Sequence, residues 1–187
     1  MSKRSKWLVG IGVALVAVSI CSAAVFGWLR HRGVRQAAEV VARIEAALPP
    51  LSVGAQEEYR VMQMPVLSVE DADFVGLLEI PAYGVKLPVC DQWQSAALSR
   101  YPCRFWGTAY DGSLIVGGNA TQLACLGQVQ IGDRVQVTDM QGAVFSYTVT
   151  RIRRADHADN ETLQSEAALT LFAQDGYNVE YIIVECE

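Results

Sequence analysis

The segment ALTLFAQDGYNVEYIIVEC, residues 168–186, contains two of the short apolar runs that decide the fold of this 187-residue chain. LTLFA (169–173) and EYIIVE (180–185) each have the length of a β-strand. Similar runs, punctuated by glycine, proline and aspartate, continue upstream as far as Phe74. The pattern predicts an all-β domain.

Five further runs of strand length lie between Phe74 and this segment. They are VGLLEI (75–80), VKLPV (85–89), SLIVGG (113–118), RVQVTD (134–139) and AVFSYTVTRI (143–152). Seven or eight short strands with frequent turns are typical of a closed barrel or a sandwich. The sequence DMQG (139–142) predicts a hairpin connection, because glycine accepts a positive φ angle. Short helices are predicted over 93–99, 121–127 and 160–167.

The N-terminal region has the strongest local signal. Residues 7–29 carry no charge, and at about 1.5 Å per residue they span roughly 34 Å, enough for the hydrocarbon core of a bilayer. A cleaved signal peptide is the alternative, since residues 1–6 are basic and small residues surround Cys21. The apolar run is longer than an ordinary signal-peptide core and ends in Trp28, an interface residue. We therefore predict a cytoplasmic tail at 1–6 and a transmembrane anchor at 7–29.

Charge is distributed unevenly along the chain. Six of the 15 basic residues lie at or before Arg35, and all 20 acidic residues lie after it, which leaves a formal charge of −11 on the remainder. Phosphate backbones and anionic headgroups would repel such a body, so nucleic acid and a peripheral membrane surface are excluded as main partners. Orientation in a membrane follows an imbalance of basic residues between the two sides of a span, and this anchor has basic residues on both flanks. The acidic remainder is therefore the feature that favours an extracytoplasmic domain.

A spacer is predicted between the anchor and the domain. Apolar residues follow near-helical spacing over 34–48, and Pro49-Pro50 is a stop signal for a helix. The polar stretch 51–72 lacks a sustained period and indicates a linker. The predicted organisation is therefore a spacer helix and linker within 30–73, followed by a β-domain over 74–187.

Four motifs of the β-domain occur in the order and spacing of one family. They are FVGLLEIPAYGVKLPV (74–89), YPCRFWGTAYDGSLIVGGN (101–119), LGQVQIGDRVQVTDMQGAVFSYTV (126–149) and ALTLFAQ (168–174). Together they resemble the sortases, which are cysteine transpeptidases. The resemblance implies a closed eight-stranded β-barrel with short peripheral helices. In an active member it also implies a thiol activated by an imidazole, and an arginine that holds the substrate and stabilises the oxyanion.

The three catalytic positions of the family fall on other residue types here. The resemblance places the family cysteine on Gln174, and its histidine on Asn119 or, with a shift of one residue, on Gly118. It places the arginine on Tyr181, with Glu180 as the neighbouring alternative. The delocalised amide of glutamine cannot be activated as a nucleophile. Asn119 and Tyr181 can still form hydrogen bonds, but they cannot replace the base and the fixed positive charge.

The functional prediction is a sortase-like pseudoenzyme of a Gram-positive-like cell wall. It would be a single-pass cell-membrane protein that binds a sorting-signal-like peptide or an envelope protein. One alternative is an active transpeptidase with a relocated thiol, for which Cys125 is the candidate, and another is a diverged relic with only a structural role. No cofactor or metal is predicted, because the sequence has no CxxC motif, no metal-spaced histidine pair, no P-loop and no dinucleotide turn.

The remaining reactive residues are predicted to be structural. His31 belongs to the basic cluster beside the anchor, and His157 lies in the acidic loop 154–160, which is typical of a solvated surface. Apart from the membrane residue Cys21, the four cysteines at 90, 103, 125 and 186 permit disulfides in an oxidising compartment. The sortase resemblance favours the pair Cys103 and Cys186, and buried free thiols are the alternative.

Aromatic residues are concentrated just before the run at 113–118. They are Trp93, Tyr101, Phe105, Trp106 and Tyr110. We predict that they pack in the core and anchor loops, and the alternative is that they line a peptide groove.

Overall fold

A computed structural model of the chain describes residues 37–49, 63–175 and 180–187. The predicted tail at 1–6, the predicted anchor at 7–29, His31 and most of the predicted linker lie outside these ranges. Among the described residues, no helix is both long and apolar enough to cross a bilayer.

The described chain is built mainly of strands. The strands are β1 (Leu67–Val69), β2 (Ala72–Ile80), β3 (Val85–Cys90), β4 (Cys103–Trp106), β5 (Leu114–Gly118), β6 (Arg134–Asp139), β7 (Val144–Ala155), β8 (Leu169–Gln174) and β9 (Tyr181–Cys186). The helices are α1, described over 37–47, α2 (Ser95–Leu98) and α3 (Asn160–Leu163). Two 3₁₀ turns cover Pro81–Tyr83 and Ala124–Gly127.

Eight strands close into a barrel in the order β2, β3, β4, β5, β8, β9, β7, β6, and β6 returns to β2. The β3–β4 and β5–β8 pairs are parallel, whereas the other neighbours are antiparallel. Strand β2 has nine residues, so its start pairs with β1 and its later part pairs with β6. The predicted closed eight-stranded barrel is confirmed, and β1 is an additional strand outside the closed ring.

Alternation along the strands separates two sides of the barrel wall. In β8, Leu169, Leu171 and Ala173 are buried in the barrel interior, whereas Phe172 belongs to a separate cluster on the outer face. In β9, Ile182, Val184 and Cys186 are the interior residues. The apolar residues of one strand therefore belong to two clusters, one inside the barrel and one on its outer face.

Helix α1 packs on the outer face of the barrel. Its buried residues Val40, Val41 and Ile44 form a cluster with Phe74 and Leu77 of β2. A helix occupies 37–47 in the region where the sequence predicts one, and it packs against the domain. Residues 37–187 accordingly form one compact unit.

Local predictions failed mainly for the shortest elements. Strand β1 lies within the predicted linker, and β4 was not predicted at all, because strands of three or four residues show no measurable alternation. The helices predicted at 93–99 and 160–167 are shorter in the structure, where they are α2 and α3. The helix predicted at 121–127 is the 3₁₀ turn Ala124–Gly127.

The predicted hairpin after β6 is confirmed. Gly142 has a φ of 83°, and the buried carboxylate of Asp139 accepts hydrogen bonds from the backbone N–H groups of Gln141 and Ala143. Glycine avoids the steric cost that other residues meet at this backbone angle.

Candidate functional site

The three predicted site positions lie at one end of three neighbouring strands. Gln174 and Tyr181 are directly paired at the ends of β8 and β9. Gly118, at the end of the parallel strand β5, pairs with Ala173, so Asn119 continues this register beside Gln174. Neighbouring strands are about 4.8 Å apart, which places the three backbone positions within about 10 Å of each other. The structure therefore brings the positions together.

The side chain of Asn119 is engaged in local structure. Its Oδ1 accepts hydrogen bonds from the backbone N–H groups of Thr121 and Gln122, at 2.9 and 3.0 Å. Its Nδ2 donates to the carbonyl of Leu98 at 3.2 Å, and the side chain of Gln122 donates to the same carbonyl. Asn119 thus links its own turn to the loop that carries α2. Both polar atoms of its side chain are used in these hydrogen bonds.

Gln174 and Tyr181 share the outer face of the barrel. Gln174 is exposed, whereas Tyr181 is half-buried and packs against the outer cluster of Phe172 and Ile183. Paired residues on antiparallel strands point to the same side of a sheet, so the amide and the phenol ring are close neighbours. Both groups can donate and accept hydrogen bonds, and neither is a nucleophile of sortase type.

An arginine that the sequence did not identify lies beside these residues. Arg154 of β7 forms ion pairs with Asp175 at 2.6 Å and with Glu180 at 3.6 Å, so its charge lies next to both Gln174 and Tyr181. The hydrogen bond and charge of Asp175 raise the pKa of the guanidinium further. Two carboxylates already neutralise this cation, which therefore differs from an arginine left free to bind substrate.

Three aromatic rings cover the outer face of β4, β5 and β8. The ring centroids of Trp93, Phe105 and Phe172 are 5.1 to 5.6 Å apart, and two of the three pairs are edge-to-face. The rings of Trp93 and Phe172 lie over Gly117, the residue before Gly118, where a Cβ atom would come within 2.6 Å of the indole. We call Trp93, Phe105 and Phe172 the aromatic surface; Trp93 is 40% exposed, whereas Phe172 is buried. Phe172 was missed from sequence because its run gave no indication of which side faces outward.

An open cleft extends from the aromatic surface. Its volume is about 460 Å³, and its lining includes Trp93, Phe105 and Trp106 together with Asp91, Arg104 and Asp111. Trp106 is 65% exposed, while Arg104 and Asp91 form an ion pair in the cleft wall. Tyr101 and Tyr110 pack elsewhere, against Phe74 and Phe145 respectively. Core packing thus explains only part of the predicted aromatic group, and the remainder lines a cleft.

The other reactive groups lie in different surroundings. His157 is exposed in the loop after β7. Cys125 is half-buried in a 3₁₀ turn, and burial raises the pKa of its thiol. Cys186 lies in the barrel interior and Cys103 in the cluster beneath α1, so the structure does not support the disulfide that the resemblance favoured. Within 37–49, 63–175 and 180–187, no three His, Cys, Asp or Glu side chains converge as a metal site.

A sequence model of the sortase domain matches residues 78–184, more than half of the chain. The chain belongs to the sortase family. The matched region runs from β2 to β9 and includes the three strand ends described above. No curated protein gave a significant match.

Solved sortase structures share the fold of this family member. Sortase C1 from Streptococcus agalactiae is 19% identical, with a TM-score of 0.55 over 65% of this chain and 70% of that one. Sortase C1 from Streptococcus suis is 24% identical, with a TM-score of 0.53 over 61% and 72% of the two chains. Clostridium perfringens sortase C, solved with the C-terminal cell wall sorting motif, is 16% identical, with a TM-score of 0.54 over 82% and 89%.

Proposed function

We propose that this sortase-family protein is a membrane-anchored binding protein without transpeptidase activity. Residues 7–29 would hold it in the cell membrane, with the barrel on the extracytoplasmic side. Its partner would be a sorting-signal-like peptide or an envelope protein that presents such a segment. In this proposal the protein keeps a surface that binds a peptide and lacks the residues that catalyse transpeptidation.

The observation that carries the proposal is the residue at the end of β8. Gln174 occupies the exposed position expected for the nucleophile, and its direct neighbour across the ladder is Tyr181. Acyl transfer requires a nucleophile whose lone pair can attack a carbonyl, and an amide has none available. The neighbouring cation, Arg154, is paired with two carboxylates. These features support inactivity at the position where the family carries out its chemistry.

The aromatic surface and its cleft support a binding role. The exposed rings of Trp93 and Trp106 give a peptide apolar contact area, and exposed aromatic residues commonly contribute most of the free energy of an interface. Clostridium perfringens sortase C has been solved with the C-terminal cell wall sorting motif, which supports a peptide as the partner. We place the peptide along the aromatic surface, next to Gln174.

A relocated thiol receives little support. Cysteine nucleophiles act as thiolates and usually lie beside a positive charge or a helix N-terminus. Burial instead raises the pKa of Cys125, which keeps the thiol protonated near neutral pH. The only histidine in the described part of the chain is His157, which is exposed in the loop after β7.

Binding and turnover can be measured on the same sample. The full chain in detergent is titrated into fluorescently labelled sorting-signal peptides, and anisotropy reports binding while mass spectrometry follows cleavage or transfer. We expect saturable binding and no turnover. Trp93→Ala combined with Trp106→Ala should weaken binding about 10-fold, because each loses a large apolar contact area.

Ile131→Ala is the matched control, since Ile131 is 70% exposed but lies in the turn before β6, on another part of the barrel. It should bind like the wild type. Turnover that disappears on alkylation or in Cys125→Ala would establish the enzymatic alternative. Equal binding by wild type and the double tryptophan variant would show that the peptide binds elsewhere.

A further inference from the structure

Two cysteines lie side by side on neighbouring strands. Cys90 is the last residue of β3, Cys103 is the first residue of β4, and the two are direct partners in the parallel pairing. Paired backbone positions are about 4.8 Å apart in a sheet, within the window of about 4.4 to 6.8 Å for the Cα atoms of a disulfide. The backbone spacing of this pair is therefore within the range that a disulfide needs.

Both side chains point to the same buried layer. Cys90 and Cys103 belong to the cluster beneath α1, where they pack with Phe74 and Tyr101 and are almost fully buried. The interaction with the neighbouring thiol raises the pKa of Cys90 and lowers that of Cys103, and the Cys103 Sγ also donates to the carbonyl of Tyr101 at 3.5 Å. The sulfur atoms thus share one side of the wall, as a disulfide requires.

The segment between these cysteines forms one wall of the candidate site. Residues 91–102 carry Trp93, which belongs to the aromatic surface. The same segment carries the Leu98 carbonyl, which accepts hydrogen bonds from Asn119 and Gln122. A covalent bond between its two ends would hold the tryptophan in place over the barrel.

We propose that Cys90 and Cys103 are a disulfide-forming dithiol that closes the loop 91–102 beside the candidate site. This inference goes beyond the proposed function and does not depend on peptide binding. The expected co-reactant is a disulfide, either a small-molecule disulfide or a thiol–disulfide oxidoreductase of an oxidising compartment.

The chemistry is ordinary thiol–disulfide exchange. The Cys103 thiolate attacks one sulfur of the oxidant, which forms a mixed disulfide and releases one thiolate. The Cys90 thiolate then attacks the Cys103 sulfur, which forms the Cys90–Cys103 bond and releases the second thiolate. The two cysteines lose two protons and two electrons in total, and the oxidant is reduced to two thiols. Because both sulfurs are buried, the reaction would take place during folding or in a local opening.

Tryptic peptides can identify the disulfide unambiguously. The full chain in detergent is equilibrated with oxidised and reduced glutathione, alkylated, and digested without reduction. Cleavage after Lys86, Arg100 and Arg104 places Cys90 on peptide 87–100 and Cys103 on peptide 101–104. Cys125 and Cys186 are on the separate peptides 105–134 and 155–187. We expect 87–100 linked to 101–104 in the oxidised sample, with the mass of both peptides less two hydrogen atoms.

A second measurement tests the effect on the loop. Hydrogen exchange of the backbone amides in 91–102 should slow several-fold on oxidation, and the melting temperature should rise by several degrees because the unfolded chain is cross-linked. Cys90→Ser and Cys103→Ser should each lose both effects, whereas Cys125→Ser should keep them.

Three results would overturn the proposal. The first is full alkylation of peptides 87–100 and 101–104 in the oxidised sample. The second is a linkage of either peptide to the Cys125 or Cys186 peptide. The third is a cross-link that leaves both hydrogen exchange in 91–102 and the melting temperature unchanged.

Discussion

Gly117 determines, at the scale of a single residue, whether the aromatic surface can form. It lies on the outer face of β5, and its missing side chain leaves the space that Phe172 and Trp93 occupy. A Cβ atom there would lie 2.6 Å from Trp93 Cζ3, well inside normal van der Waals distance, so one of the rings would have to move. Gly117 thus takes part in the pairing of β5 with β8 and leaves room for the rings of Phe172 and Trp93 to lie against the strand.

Gly117→Ala should destabilise the protein by about 1–3 kcal/mol, because the added methyl group overpacks the contact between the strand and the rings. Urea unfolding followed by circular dichroism measures this loss, and a change in tryptophan fluorescence should accompany it.

Gly127→Ala is the matched control for this prediction. A Cβ atom at Gly127 would lie 3.6 Å from Ile182 Cδ1, an ordinary contact. The control should therefore unfold within about 1 kcal/mol of the wild type. Equal stability of the two variants would mean that the rings rearrange at no cost.

At the scale of elements, α1 shows how a helix predicted as a spacer becomes part of the core. Its apolar residues follow the period of an amphipathic helix, but periodicity does not identify the surface that a helix covers. The structure supplies that surface on the outside of β2 and β3, and salt bridges from Arg43 to Glu70 and from Glu45 to Lys86 lie at its edges.

Ile44→Ala tests this packing because Ile44 is fully buried under the helix. The loss of buried methyl groups should destabilise the barrel by about 2–5 kcal/mol in chemical denaturation. Glu39→Ala on the exposed side of α1 is the control and should have almost no effect. If Ile44→Ala unfolds like the wild type, α1 does not stabilise the barrel.

At the scale of the whole molecule, stability should depend on acid-sensitive hydrogen bonds spread over the surface. Partial burial acts to raise the pKa of Asp111, but hydrogen bonds from Ser113 and Thr108 outweigh it, and the pKa is lowered below its usual value of 3.8. Arg100 lowers the pKa of Asp71 through a hydrogen bond and its charge, and hydrogen bonds from Thr162 lower that of Asp159. A lowered pKa in the folded state stabilises the protein when the carboxylate is ionised. That contribution is present above the unfolded pKa and is lost as the pH falls through the lower folded value.

The melting temperature should therefore fall as the pH drops below about 4. Asp111→Asn keeps an oxygen acceptor but removes the charge, so it should be less stable than the wild type at pH 7 and should approach it at pH 2. Asp156→Asn, at an exposed bend after β7, is the control and should follow the wild-type profile. A constant gap between wild type and Asp111→Asn from pH 7 to pH 2 would contradict this account.

Much of the barrel was predictable because each of its longer strands is visible in the sequence as a short apolar run of strand length. The run at 134–139 coincides with β6, and the runs at 169–173 and 180–185 lie within one residue of β8 and β9. The resemblance to sortases placed the candidate positions on Gln174 and Tyr181, and these two residues are paired at neighbouring ends of β8 and β9. Strands β1 and β4 were not predictable, because strands of three and four residues are too short to show a measurable alternation.

The sequence alone determined the all-β pattern, the acidic charge after residue 35 and the absence of a thiol at Gln174. Only the tertiary structure decided that Asn119 is bound to the Leu98 carbonyl, that Phe172 faces outward and that Cys90 meets Cys103. The physical reason is the range of the interactions involved. Alternation and turn chemistry act between near neighbours in the chain, whereas these contacts depend on how the closed barrel aligns strands that the chain keeps apart.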